Sequence, residues 1–420
     1  MGGAAPARPR VLLLLPTTTY RARDFIQAGS RLGVATVVGS DKRQALADVA
    51  PAHTVTLDLA RAEEAAAQIV GFAERWPLNA VIPTDDQTAV VAALASESLG
   101  LPHNPPEAAR AARHKDRLRA ILSAAGVRTP RYRLLPLEVD PLGVADGQSF
   151  PCVLKPTFLA ASRGVIRADT PREFSAAFQR IAALLALPDV AEKASDAYRG
   201  ILVEEFVPGA EVAVEGLLAG GRVRVLAIFD KPDPLDGPFF EETIYVTPSR
   251  HEEAARRAIA DATGAAARAL GLREGPIHAE LRLGAAGPWV IELAARSIGG
   301  LCSRVLRFGT GRSLEELILM QALNRDLEGL EREPGPAGVM MIPIPRAGVL
   351  REVTGLDRAR QVAGVEEVTI SAAIGKPLVP LPEGSSYLGF IFARAATPDE
   401  AEAALREAHR RLRVVYLPGE

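Results

Sequence analysis

Gly275-Pro-Ile-His278-Ala-Glu280-Leu-Arg282, followed after a Gly-Ala-Ala-Gly turn by Trp289-Val-Ile-Glu292-Leu-Ala294-Ala295-Arg296, decides how this chain reads. Two apolar runs joined by a short turn predict a β-hairpin. Each run carries one glutamate. If the strands pair, Glu280 and Glu292 lie side by side, where like charges repel. A divalent cation between them removes the conflict, and hard carboxylate oxygens suit magnesium. Arg296 then lies beside the same site. His278 sits two residues before Glu280, so it points to the same strand face. It faces a ligand there or is a satisfied core histidine.

Upstream, Ile201-Leu-Val-Glu204-Glu205-Phe206-Val207-Pro208-Gly209-Ala-Glu211 ends an apolar strand on two adjacent carboxylates. Packing alone does not call for them, although one exposed glutamate and a solvated turn is the plain alternative. In Pro151-Cys-Val-Leu-Lys155-Pro-Thr-Phe-Leu-Ala-Ala-Ser162-Arg163-Gly164-Val165, a lysine ends a buried strand and small residues follow. Small residues let backbone N–H groups approach phosphate oxygens, and the lysine supplies a point charge. The alternative is a hairpin with a snorkelling lysine.

Strands at 11–16, 35–39, 55–57 and 80–83 alternate with helices at 24–32, 62–76 and 88–99, predicting a parallel sheet. The first strand is followed by Thr17, Thr18, Thr19 and Tyr20, not the G-x-G-x-x-G turn of a dinucleotide site, which excludes a nicotinamide cofactor. Asp85 and Asp86 follow the strand 80–83, where ligands of open α/β sheets bind. Either holds a substrate ammonium, or Asp85 caps the next helix. Residues 105–125 read as one helix carrying Lys115, 136–150 as a link, 201–229 as an antiparallel meander and 250–270 as a long helix. The tail from 338 alternates short strands with turns and ends in a helix, 398–412.

The 420 residues leave room for two to four domains. Lys plus Arg number 49 against 51 Asp plus Glu, which argues against a grip on nucleic acid or an anionic membrane. Cys152 and Cys302 are too few for a disulfide framework, so a reducing, cytoplasmic setting is expected. No apolar run approaches the ~18–20 residues of a membrane span, and 1–10 read as a loose tail.

The order Lys115, Lys155 with its small-residue loop, Glu204-Glu205-Phe206-Val207, Glu280 and Glu292 resembles the ATP-grasp superfamily of carboxylate–amine ligases, across 10–415. The segment 338–416 is similar to that of bacterial L-amino acid ligases. The resemblance implies α/β and α+β architecture: a biotin-carboxylase-like parallel-sheet domain over 1–104, an ATP-grasp domain over 105–330 with a small lobe at 130–206, and a C-terminal α+β subdomain over 331–420. It implies that Lys115 and Lys155 contact ATP phosphates under a loop containing Ser162, Arg163 and Gly164. Glu204 accepts from the adenine amino group, the backbone around Phe206, at Glu205 and Val207, completes adenine recognition, and Glu211 binds the ribose. Glu280 and Glu292 ligate magnesium, with manganese as an alternative. Arg296, Lys231 and His278 are the implied catalytic residues.

The implied reaction joins a carboxylate, of an amino acid or related acid, to an amine through an acyl-phosphate. The expected partners are those small molecules and a second copy of the chain in a homodimer. A bicarbonate-activating carboxylase and a degenerate ATP-binding protein are the alternatives. The second is raised by one departure: the family reads Glu-x-Asn-x-Arg where this chain has Glu292-Leu-Ala294-Ala-Arg296.

Overall fold

A computed structural model describes residues 8–17, 19–44, 49–191 and 200–418. The tail 1–7 and Thr18 lie outside the described residues. Strands β1 (Arg10–Leu14), β2 (Ala35–Ser40), β3 (Thr54–Thr56) and β4 (Ala80–Pro83) form a parallel sheet in the order β3-β2-β1-β4. Helix α1 (Ala22–Arg31) connects β1 to β2, α2 (Ala62–Arg75) connects β3 to β4, and α3 (Asp86–Ser98) follows β4. Val11–Leu14 are fully buried, as expected for a strand covered on both faces.

The expected single helix over 105–125 is two: α4 (Pro106–Arg113) and α5 (Lys115–Ala124). His114 breaks it in an extended conformation, φ −100° and ψ 111°. The reason is tertiary. The Lys115 N–H leaves the helical ladder and donates to Thr157 O at 2.8 Å. Lys115 is thereby placed at the first turn of α5, against the small lobe. The link 136–150 contains a further short helix, α6 (Pro141–Ala145), opened by Pro141 and capped by Asp140.

The small lobe is an antiparallel sheet of β5 (Tyr132–Pro136), β6 (Cys152–Pro156), β7 (Ile166–Ala168) and β8 (Gly200–Glu205), in the order β5-β8-β6-β7. Helix α7 (Pro171–Leu185) packs on it through Phe174, Phe178 and Ile181. The expected meander over 201–229 is therefore split. β8 belongs to the small lobe, while β9 (Ala210–Ala219) and β10 (Arg222–Lys231) pair with each other in the large lobe. The Val207-Pro208-Gly209 link makes the crossing. Gly209, at φ +120°, is required there, because a Cβ would lie 2.2 Å from Leu283 O.

The large-lobe sheet adds β11 (Ile244–Thr247), β12 (Gly275–Gly284) and β13 (Gly287–Ala294). It continues into the C-terminal segment through β14 (Ala337–Ile342), β16 (Val365–Ile370) and β18 (Gly389–Arg394), after β15 (Gly348–Thr354) and β17 (Pro377–Leu378) have branched off. The order is β13-β12-β9-β10-β11-β14-β18-β16. β15, β17 and β19 (Arg413–Tyr416) form a separate small sheet. Among the described residues no helix is long and apolar enough to cross a membrane.

Candidate active site

The predicted hairpin forms in the predicted register: β12 and β13 are antiparallel, with Glu280 opposite Glu292 and His278 opposite Ala294. A cavity of about 490 Å³ opens over this hairpin, bounded by both lobes, the end of β4 and the loop 385–387. It is lined by Lys115, Lys155, Ser162, Arg163, Glu204, Glu205, Phe206, Val207, Glu211, His278, Glu280, Glu292 and Arg296. Gly164 and Lys231 lie behind its wall.

On the small-lobe side, Lys155 Nζ lies 2.6 Å from Glu204 Oε2. Val153 is opposite Glu204, so Lys155 reaches it diagonally on one sheet face. Arg119 of α5, which sequence reading overlooked, holds the other oxygen, Oε1, at 2.7 Å. Burial opposes ionisation of Glu204, but Arg119 and then Lys155 outweigh it and hold its carboxyl below the usual range. Lys155 shares one anion with Arg119, so burial, only partly offset by Glu204, lowers its ammonium. The loop after β6 holds Ala161 at φ 55° and Ser162 at φ 54°, a left-handed pair costing about 1–3 kcal/mol per residue. It is held from outside: Gly164 N–H donates to Pro382 O and Arg163 Nε to Glu383 O, both at 2.8 Å. Arg180 forks onto the Glu383 carboxylate. The Phe206 ring contacts two guanidinium groups, Arg167 at 4.2 Å and Arg282 at 4.9 Å from its centroid.

On the large-lobe side, Lys231 Nζ lies 2.8 Å from Glu211 and 3.6 Å from Glu280, and also pairs with Glu242. Burial would lower Lys231, yet the three carboxylates drive it well above its ordinary value. Glu211, Glu242 and Glu280 are the only described group of three metal-competent side chains close enough to share an ion. Burial and the Glu280 charge push Glu242 up to about 7, and Tyr245 Oη donates to it at 2.8 Å. Burial would raise Glu280 too, but Lys231 and then His278 hold it well below the carboxylate range. Glu292 faces Lys115 Nζ at 3.3 Å. Glu280 and Glu292 offer carboxylate oxygens from facing strands, with Lys231, Lys115 and His278 balancing their charge. This donor pair fits magnesium.

His278 Nδ1 lies 3.3 Å from Glu215, whose side chain is fully buried and also accepts from Ile298 N–H at 2.9 Å. Burial would lower His278, but Glu215 and then Glu280 raise it. Glu215 was missed in the sequence, although a charge inside Val212-Ala-Val-Glu215-Gly-Leu217 is a visible signal. Of the two readings for the acidic pair, Asp85 caps α3 in a capping box with Thr88. Asp86 instead holds Arg296 at 2.7 Å. Burial works against the Arg296 charge, and Asp86 then raises its pKa above the ordinary value.

A domain-family model described as ATP-grasp domain matches 148–305. An ATP-grasp N-terminal domain matches 26–103, and L-amino acid ligase C-terminal domain 2 matches 340–417. The chain is 30% identical to alanine–anticapsin ligase of Bacillus subtilis strain 168 over 250 residues, 56% of this chain and 52% of that protein. The match spans about half the length of the alanine–anticapsin ligases. The crystal structure of L-amino acid ligase from Bacillus licheniformis has a TM-score of 0.80 at 28% identity, covering 98% of this chain and 99% of that one. Carboxyaminoimidazole ribonucleotide synthase of Aspergillus clavatus, complexed with ATP, has a TM-score of 0.73 at 17% identity, covering 97% of this chain and 99% of that one, a likeness of fold.

Proposed function

The chain is an ATP-grasp ligase similar to bacterial L-amino acid ligases, and from that premise we propose that it joins the carboxylate of an amino acid or related acid to an amine, forming ADP and phosphate. The carrying observation is that one cavity collects two buried lysines, a cross-strand glutamate pair and an arginine.

ATP is a substrate in this reading. Lys115 and Lys155 take its phosphates, the loop with Ser162, Arg163 and Gly164 covers them, Glu204 and the backbone at Glu205 and Val207 read the adenine, and Glu211 the ribose. Magnesium, or manganese in its place, would be held by Glu280 and Glu292 and would neutralise phosphate charge. Catalysis is then positioning and charge stabilisation. The substrate carboxylate attacks the γ-phosphoryl group, giving an acyl-phosphate and ADP. Arg296, oriented by Asp86, stabilises the charge on the transferred group. Lys231, held by Glu211, Glu242 and Glu280, balances the charge of the acidic cluster at the metal end of the site. His278, backed by Glu215, faces the substrate side. An amine then displaces phosphate, while the covered loop keeps water from the acyl-phosphate.

The direct test is a phosphate-release screen of L-amino acids against amines with ATP and magnesium. Release that needs both a carboxylate and an amine is expected. Bicarbonate-dependent release without an amine, or ATP binding without carboxylate-dependent release, overturns the reading.

Glu292→Gln should raise the magnesium concentration for half-maximal ADP formation about tenfold or more, since it swaps a charged ligand for a neutral one. An unchanged magnesium titration would remove Glu292 from the ligand set. Ala294→Asn should change magnesium affinity or the carboxylate KM, because position 294 shares the strand face of Glu292. Both parameters staying at wild-type values in an active variant would place position 294 away from the metal.

A further inference from the structure

Arg119 is among the largest fully buried side chains described, and it touches nothing in the cavity directly. It lies four residues after Lys115, one helical turn along α5 and on the same face. Its Nε donates to Glu204 Oε1 at 2.7 Å and one terminal nitrogen to Ile291 O at 2.6 Å. The third nitrogen has no partner among the described residues. Three segments meet at this guanidinium: α5 behind Lys115, β8 at Glu204, and β13 beside Glu292.

The two oxygens of Glu204 are divided. Oε1 belongs to Arg119 and Oε2 to Lys155. The Lys155 ammonium has three N–H donors, and a phosphate in the cavity competes with Oε2 for them. When it moves to a phosphate, Oε2 becomes an open acceptor aimed at the cavity. Glu204 is only 3% exposed, so an ionised carboxylate there needs a remaining cation. Arg119 is that cation, and its second anchor at Ile291 O fixes the direction of the carboxylate. Resting on the reading of Glu204 as the adenine acceptor, we propose that Arg119 is the positioning residue that keeps Glu204 an ionised, oriented acceptor for the exocyclic amino group of the nucleotide, and so releases Lys155 to the phosphates. Base recognition and phosphate recognition are then linked through the exchange of one lysine.

The test is the ratio of KM for inosine triphosphate, which carries a 6-oxo group, to KM for ATP. A charge-assisted hydrogen bond predicts about a ten- to hundred-fold preference for ATP in the wild type. Arg119→Met should cut the ratio several-fold, to the share read by the backbone at Glu205 and Val207, and Arg119→Lys should recover most of it. A general weakening of the fold would shift both KM values together and leave the ratio intact. Arg119→Gln keeps polar contacts without charge and serves where the Met variant does not fold; the same fall is expected. Glu204→Gln can accept from an amino group or donate to an oxo group, so it should lower the preference to the same backbone share. A fall in Glu204→Gln with a wild-type ratio in Arg119→Met and Arg119→Gln would overturn the role of Arg119 alone. A wild-type ratio in Glu204→Gln would overturn the adenine reading beneath it.

Discussion

Lys155→Met is expected to lower turnover by about 10²–10³-fold at saturating ATP, with the melting temperature nearly unchanged. The side chain fills a slot only 4% exposed, and methionine occupies it with similar volume. Glu204 is not orphaned by the change, because Arg119 still holds it at 2.7 Å. The loss is therefore a charge at the phosphates rather than a cavity in the core. Steady-state kinetics with a thermal melt check this. Wild-type turnover would reduce Lys155 to a buried strand-end residue.

Arg296→Met carries the second large effect, also about 10²–10³-fold in amide formation, with the KM for ATP little altered. Its guanidinium lies on the substrate side, bound to Asp86 at 2.7 Å and to Ser297 O at 3.0 Å. Removing it alone leaves Asp86 without the guanidinium bound to it, so the cleaner variant is Arg296→Met with Asp86→Asn. Asp86→Asn alone should cost only about tenfold, because Arg296 keeps its anchor at Ser297. Full amide formation in the double variant would remove Arg296 from the chemistry.

The hairpin of β12 and β13 was legible because its evidence is local. A short turn and two apolar runs specify the register that brings Glu280 opposite Glu292. The parallel sheet of the first domain was legible for the same reason. What escaped depends on distant partners. The break at His114 follows from a bond between Lys115 and Thr157, and β8 leaves its apparent neighbours for β5 and β6. Asp86 meets Arg296 across 210 positions of sequence, and Arg119 meets Glu204 across 85. No periodicity encodes such pairs. Lys231 was singled out by the family resemblance alone, and its three acidic neighbours converge on it from β9, the segment before β11, and β12.

The large-lobe sheet has a consequence for any attempt to shorten this chain. β11 is a four-residue strand, Ile244-Tyr-Val-Thr247, buried throughout, and β14 is its partner on the outer side. A protein ending before residue 337 would present that strand as a raw apolar edge, with unpaired amide and carbonyl groups and no charge to deter a neighbour. Such an edge recruits strands from other molecules. The C-terminal segment thus acts as the sheet's guard against self-association, and trimming it trades solubility for length.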